Sequence, residues 1–301
     1  MRSSSPADRI TLVTVTHESR PELVRLLESA SRRLPGAELI VVDSGSSDGG
    51  PAAARELDAR VVELGENVGY GRAANEGIKL AGRPVTVVLN PDVELIDGSL
   101  GTLADAAQAR PDRILAPLVL LPDGSRQDTA QHAPTSWPAL VSALVPPGAL
   151  PPRLRTVAEP WRSDRPRRVA WAVGCCLVAT TDTLRRLGPF DERIFLYGED
   201  LELGLRAGEL GVETWFWPQA RIVHHRSAST ERAFGGEPFE RLARQRRRVV
   251  EERLGRGRRR LDDWAQLVTF ADRIALKALL RRPRERERRQ LTALRTVRRE
   301  N

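Results

Sequence analysis

At 301 residues, with 41% apolar content and with 23 glycines and 21 prolines spread along it, the chain can build a substantial globular core and is neither collagen-like nor low-complexity. The net charge of +8 is unevenly placed: residues 241–301 hold 21 Lys and Arg against 8 Asp and Glu, a local +13, which leaves −5 on residues 1–240. A basic end on a mildly acidic body points to an anionic partner, whether phospholipid, lipid diphosphate or nucleic acid, or else to a solvated arginine-rich helix face.

The first residues, Met1-Arg2-Ser3-Ser4-Ser5-Pro6, lack the apolar core of a signal peptide, and no run of about 18 apolar residues follows. The expectation is a cytoplasmic protein, free or attached to the inner face of the plasma membrane. Residues 10–16 (ITLVTVT) are β-branched and bounded by polar residues, which predicts a buried first strand. Pro21 opens an amphipathic helix with Leu23, Leu26, Leu27 and Ala30 on one face. Residues 39–42 form the next strand, followed by the loop 43–50 (DSGSSDGG) and a short helix. A third strand over 60–64, a glycine-rich turn, a helix over 73–80 and a fourth strand over 85–89 continue the alternation. Such βαβ repetition implies a largely parallel sheet with helices on both faces.

Farther on, the pattern predicts a helix over 99–109 and a strand over 114–121, turned at Pro122-Asp123-Gly124. The proline-rich stretch 125–168 has little periodicity and reads as a surface excursion or an acceptor-binding loop. A strand over 169–179, helices over 181–187 and 200–210, a strand over 213–217 stopped by Pro218 and a strand over 221–223 follow. Cys175 and Cys176, the two cysteines, cannot form a disulfide framework or a cysteine metal site. As strand neighbours they should point to opposite faces and fill core space.

In an open parallel sheet, ligands bind beyond the carboxyl ends of the strands, so Asp43 after the second strand and Asp92 after the fourth should share one edge. Asp43 and Asp48 suit the N–H and O–H groups of a nucleobase and ribose, although Asp-Ser-Gly-Ser-Ser-Asp-Gly-Gly is equally good turn and cap chemistry. Asn90-Pro91-Asp92-Val93-Glu94 supplies hard oxygen ligands for Mg²⁺ or Mn²⁺ beside a phosphate. Asp92 would be the metal carboxylate, with Asn90 and Glu94 acting through water, and helix capping by Asp92 is the competing reading. His224, the first of a His224-His225 pair, is the candidate second ligand, against the reading of a satisfied structural histidine.

Gly69-Tyr70-Gly71-Arg72-Ala73-Ala74 matches the permissive dinucleotide fingerprint, but it follows the third strand and not the first, which argues against a nicotinamide site. Its glycines suit close backbone approach to a ligand, with Arg72 or Asn75 near phosphate. Glu199-Asp200 opens a helix, whose dipole favours acids in any case. Phe190, Phe195 and Tyr197 ahead of it would form an apolar wall that keeps a carboxylate basic, which makes Asp200, with Glu199 beside it, the candidate base for an acceptor hydroxyl. Trp171, Trp215 and Trp217 read as core.

Five stretches occur in order: Val41-Val42-Asp43-Ser44-Gly45-Ser46-Ser47-Asp48, Glu66-Asn67-Val68-Gly69-Tyr70-Gly71-Arg72-Ala73-Ala74-Asn75, Asn90-Pro91-Asp92, Gly188-Pro189-Phe190-Asp191-Glu192, and Tyr197-Gly198-Glu199-Asp200-Leu201-Glu202-Leu203. On these residues the chain resembles the inverting family 2 glycosyltransferases of GT-A fold over about residues 9–230, and among them bacterial rhamnosyltransferases that act on lipid-linked precursors. The resemblance implies a Rossmann-like α/β domain of GT-A type over 1–235, with a mostly parallel central sheet flanked by helices, and a basic helical extension over 236–301. It places Asp43 and Asp48 at the donor nucleotide, with Thr16, Asn67, Gly69, Arg72, Asn75 and Asn90 around the same nucleotide sugar. Asp92 becomes the metal-binding end of a D-x-D-type motif whose first acid is here Asn90, and Asp200 becomes the general base. The implied reaction is a single displacement with inversion, from dTDP-L-rhamnose or another dTDP-deoxysugar to a hydroxyl of a glycan or lipid-linked acceptor.

Over residues 264–280 (WAQLVTFADRIALKALL) apolar residues recur at helical spacing between arginine clusters at 256–260 and 281–289, the pattern of a helix in a membrane interface. Packing on the catalytic domain, or on a second subunit in a homodimer, would explain the same stripe. The non-enzyme alternative is a nucleic-acid-binding protein using the Arg-rich end; the acidic body and the lack of a recognisable module argue against a nucleic-acid partner. A sugar-phosphate nucleotidyltransferase would want a Gly-rich, Lys-bearing loop where this chain has Thr16-His17-Glu18-Ser19-Arg20.

Overall fold

The computed structural model describes residues 6–225 and 238–300. β1 (Ile10–Thr16), α1 (Arg20–Arg33), β2 (Glu38–Asp43), α2 (Gly50–Glu56), β3 (Arg60–Glu63), α3 (Tyr70–Leu80) and β4 (Val85–Leu89) alternate through the N-terminal part. β5 (Val93–Glu94), α4 (Leu100–Ala109), β6 (Arg113–Leu120), β7 (Ala130–Gln131), α5 (Trp137–Leu144), α6 (Pro152–Ala158), β8 (Arg167–Val169), β9 (Trp171–Ala172) and β10 (Cys176–Thr180) follow. Then come α7 (Thr181–Leu187), α8 (Glu199–Glu209), β11 (Glu213–His224) and three C-terminal helices, α9 (Phe239–Leu254), α10 (Arg256–Leu279) and α11 (Glu285–Arg299).

Among the described residues, nine strands make one sheet in the order β3-β2-β1-β4-β10-β6-β11-β5, with β8 also paired to β11, while β7 and β9 form a separate ribbon. β3, β2, β1 and β4 are mutually parallel. β10 is inserted antiparallel to both β4 and β6, so β6 and its parallel partner β11 run in the direction of β1 and β4. The carboxyl ends of β1, β2, β4 and β11 and the amino end of β10 therefore lie along one edge. Strand alternation distributes the core: Val85, Val87 and Leu89 pack with α1 and α4 residues on one face, and Val88 packs with Ala73, Ile78 and Leu203 on the other. Gly77 marks close contact of α3 with the sheet, since a Cβ there would press on Val13 and sit 3.1 Å from Val42.

Three expectations change. The apolar run 169–179 is not one strand: Val169 ends β8 on β11, Trp171 and Ala172 pair with β7, and Cys176 begins β10 between β4 and β6. An apolar run records burial but not a change of partner. Cys175 precedes β10, outside its alternation, so both thiols lie in one core cluster and not on opposite faces. Pro218 does not stop a strand either. Residues 213–224 are a single β11 whose pairing with β6 shifts between Trp217 and Arg221, and this irregularity accommodates a residue without an N–H.

Of the C-terminal helices, α9 packs on the helix that carries Asp200, and α10 and α11 pack on α9. Val249 and Val250 of α9 share a buried cluster with Ile194, Leu201 and Leu205. Glu202, 1% exposed, accepts from Arg206 at 2.8 Å and from Arg253 of α9. Arg246–Asp262 at 2.8 Å and Arg247–Asp263 at 3.0 Å tie α9 to α10, and Arg247 also donates to the Val297 carbonyl of α11 at 2.6 Å. A substantial part of the arginine-rich end is thus internal structure. The expected boundary at residue 235 lies outside the described residues. α10 also packs against α5, and Trp137 and Leu144 of α5 and Leu279 and Leu280 at the end of α10 are exposed. Among the described residues no helix is long and apolar enough to cross a membrane.

Candidate active site

A cleft of about 750 Å³ opens at the sheet edge where the strand ends gather. Asp200 and Glu199 line it from the first turn of α8. Two left-handed residues, Tyr197 at φ 69° and Gly198 at φ 93°, turn the chain into that helix; the non-glycine residue carries local strain of about 1–2 kcal/mol, a cost that concentrates at functional sites. The Asp200 carboxylate accepts N–H groups of Gly174 at 3.1 Å and Leu201 at 2.7 Å. Burial raises its pKa against those two bonds. Glu199 is pushed up to about 8, first by burial and then by the charge of Asp200. Its Oε2 has no hydrogen-bond partner among the described residues, as suits a carboxyl that keeps its proton beside an ionised neighbour.

Asp92 lies just past β4 and His224 ends β11, and the shared edge brings them together from 132 residues apart. His224 Nε2 is 3.0 Å from Asp92 Oδ1, and His224 Nδ1 is 2.8 Å from Gln127 Oε1. With Gln127 Oε1 as acceptor, the ring proton sits on Nδ1. The Nε2 lone pair then faces a carboxylate, an arrangement that requires a proton or a cation between them. Imidazole nitrogen with carboxylate oxygen suits Mn²⁺ or Mg²⁺. Among the described residues, no group of three or more His, Cys, Asp or Glu is placed to hold a metal ion, so ligands from substrate phosphate and water would have to complete a coordination shell.

Asn67, Gly69 and Asn90 also line the cleft. Asn67 Oδ1 accepts from the Gly69 N–H at 3.1 Å, and Ser44 Oγ accepts from the Val68 N–H at 3.0 Å, which knits the turn after β3 to the end of β2. Gly69 is required for a reason the sequence concealed. A Cβ there would collide with the Phe195 carbonyl and lie 2.9 Å from its Cα, and Tyr70 N–H donates to that carbonyl at 3.0 Å. Its close approach is therefore to the loop that precedes Asp200.

The remaining expected residues stand outside the cleft lining. Asp43 is buried, with Oδ2 accepting from Gly45 and Ser46 N–H at 3.2 and 3.0 Å and with Oδ1 unpartnered among the described residues. Asp48 caps its loop, accepting from Arg20 N–H at 2.7 Å and Gly50 N–H at 2.9 Å. Thr16 is buried, its hydroxyl 2.9 Å from that of Ser19. Arg72 is exposed on α3. Asn75 is occupied with the Phe190 backbone, donating to its carbonyl and accepting from its N–H, each at 3.0 Å. Glu94 pairs with His225 at 2.7 Å, away from the cleft.

Several residues in or beside the cleft were not anticipated. His17 and Glu18 follow β1, and the strand-end rule that singled out Asp43 and Asp92 applies equally to them. Gln127 comes from the proline-rich excursion, and Arg241 and Arg286 come from α9 and α11, where no local signal marks them. Cys175 lines the cleft with its thiol pKa pushed up to about 12 by burial, so it is no nucleophile.

Residues 11–165 match the model of the family described as Glycosyl transferase family 2. Over 259 residues, 78% of this chain and 81% of the other, the sequence is 35% identical to the N-acetylglucosaminyl-diphospho-decaprenol L-rhamnosyltransferase of Mycobacterium tuberculosis. Its fold is similar to that of mannosyltransferase PcManGT from Pyrobaculum calidifontis in complex with GDP-Man and Mn²⁺, with a TM-score of 0.60 at 17% identity over 98% of this chain and 88% of that one. It is also similar to GalNAc-T7 with UDP, GalNAc and Mn²⁺, with a TM-score of 0.60 at 19% identity over 80% of this chain and 47% of that one. A family model that spans more than half of the chain, a relative at 35% identity and a matching fold place the protein in glycosyl transferase family 2, as a glycosyltransferase of GT-A type.

Proposed function

We propose that the protein transfers L-rhamnose, with inversion, from dTDP-L-rhamnose to a hydroxyl of a lipid-linked diphosphate sugar. The observation that carries this reading is the placement of Asp200 and the Asp92–His224 pair in one cleft. The similarity to the mycobacterial rhamnosyltransferase supports the choice of sugar and acceptor.

Asp200 takes the proton of the acceptor hydroxyl as that oxygen attacks the anomeric carbon opposite the departing nucleotide. The Gly174 and Leu201 N–H groups hold the carboxylate in place, and desolvation raises its basicity above that of an ordinary aspartate. Glu199 retains its proton and so adds no second negative charge where the acceptor must bind. Asp92 and His224 would hold Mg²⁺ or Mn²⁺, which when bound neutralises charge on the leaving diphosphate. Gln127 orients the His224 ring through Nδ1, so that Nε2 is presented to the ligand side. Ser44, Asn67 and Asn90 lie where a nucleoside would meet the ends of β2 and β4, with Asp43 stiffening the loop that carries Ser44.

The exposed apolar side chains of α5 and of the end of α10, together with Arg281 and Arg282, fit contact with an anionic bilayer at the inner face of the plasma membrane. Vesicles containing anionic lipid should retain the protein, whereas Trp137→Ser with Leu279→Ser should release it. For the reaction, nucleoside diphosphate release from a panel of nucleotide sugars, with Mg²⁺ or Mn²⁺ and a lipid-linked acceptor, is the test. Turnover with dTDP-L-rhamnose that vanishes in Asp200→Asn supports the proposal, and turnover indifferent to Asp200 and Asp92 ends it.

A further inference from the structure

Part of the cleft is built by neither the sheet nor α8. Phe239, Arg241 and Leu242 enter from the start of α9, and Arg286 and Gln290 from α11. These helices lie beyond the residues 11–165 that match the family model. Of the two, α9 is nonetheless held firmly against the catalytic helix, and α11 packs on α9. Glu202, two residues after Asp200, is bound by Arg253 of α9, and a Cβ on Gly198 would sit 3.2 Å from Gln245 Cβ. Arg241 is one helical turn before Gln245, about 6 Å along the axis, so its position is coupled to the turn that presents Asp200. Its guanidinium stands 5.9 Å from the Phe195 ring centroid, and Arg289 of α11 stands 5.4 Å from that of Phe239, which joins the two helices at the cleft wall.

Two guanidinium groups, a carboxamide and apolar Phe239 and Leu242 thus come together on elements anchored to the helix of the base. The nucleotide-side residues Ser44, Asn67 and Asp92 belong to the strand ends instead. The arginines therefore belong to the side from which the acceptor approaches Asp200. A planar guanidinium matches the paired oxygens of a phosphate, and two of them match a diphosphate; a neutral sugar would call for neither. We infer that Arg241 and Arg286 bind the diphosphate of the acceptor, with Phe239 and Leu242 against the first units of its lipid. The inference rests on the reading of the acceptor as a lipid-linked diphosphate sugar. It gives the C-terminal helices a function: they make the enzyme selective for acceptors that carry that charge.

The test uses the full chain and two acceptors bearing the same N-acetylglucosamine, one on a short polyprenyl diphosphate and one on a neutral octyl glycoside. The readout is the ratio of kcat/KM for the first over the second. Arg241→Gln and Arg286→Gln should each lower that ratio about tenfold, through the acceptor KM, with Arg→Lys at either position recovering part of it. A ratio unchanged in both variants overturns the inference, as does an equal loss on the two acceptors, which would mark a structural role. A wild-type enzyme that turns over the octyl glycoside but not the diphosphate acceptor would sink the proposed acceptor, and this inference with it. An active wild type with indifferent variants would sink the inference alone.

Discussion

Two carboxylate–histidine pairs lie side by side on β11 and its neighbours. Asp92 and His224 are buried in the cleft 3.0 Å apart, while Glu94 and His225, 2.7 Å apart, are a quarter to a third exposed and lie outside it. The residue types are almost the same and the second pair is shorter. What separates them is position: His224, the last residue of β11, is buried against Asp92 and Gln127 and lines the cleft, whereas His225 lies past the end of the strand and is partly exposed. Glu199 and Asp200 repeat the lesson on a helix. Glu199 is buried and Asp200 half-buried, and Asp200 accepts N–H groups from Gly174 and Leu201, while Glu199 Oε2 is unpartnered among the described residues. Environment, more than residue identity, assigns the roles.

Breaking the helix pair gives the largest expected effect. Asp200→Asn should lower kcat by about 10³–10⁴, as loss of a general base does, whereas Glu199→Gln should keep most of the activity. Comparable losses in single-turnover rates would mean that the two carboxylates share the proton chemistry. For the strand pairs, Asp92→Ala should cost about 10²–10³ in kcat/KM and Glu94→Ala less than about threefold, measured with saturating Mn²⁺. His224→Gln should cost about 10–100-fold and shift the metal titration upward, while His225→Gln leaves it in place; removing the orienting partner with Gln127→Ala should cost about tenfold in apparent metal affinity.

Gly69→Ala probes the join between the two halves of the cleft. Forced out of φ 85° or into the Phe195 backbone, it should lose about 2–3 kcal/mol of stability, visible as a lower melting temperature with the loop that carries Asp200 loosened.

The smallest effect is a pH dependence. Glu199 keeps its proton in the folded chain up to about 8, where an ordinary carboxyl has lost it near 4.5, so folded-state stability falls as pH rises through that window. Glu199→Gln removes this slope. It should melt a few degrees above wild type at about pH 9 and show no such advantage at about pH 4. Parallel melting curves at all pH values would show that Glu199 is not held protonated.

The βαβ alternation, the edge where ligands bind, and the placement of Asp92 after a strand and Asp200 at a helix start were all readable from the chain. Each depends on periodicity, turn residues and helix capping, which act within a few positions. The glycine-rich turn was readable as a site of close approach but not for its partner, because Gly69 meets Phe195 from far along the chain. Tertiary structure alone decided that β10 enters antiparallel between β4 and β6, that Gln127 orients the His224 ring, and that α9 and α11 wall the cleft with Arg241 and Arg286. These depend on which surfaces bury one another across long stretches of chain, 97 residues in the contact between His224 and Gln127, and no local pattern encodes that choice.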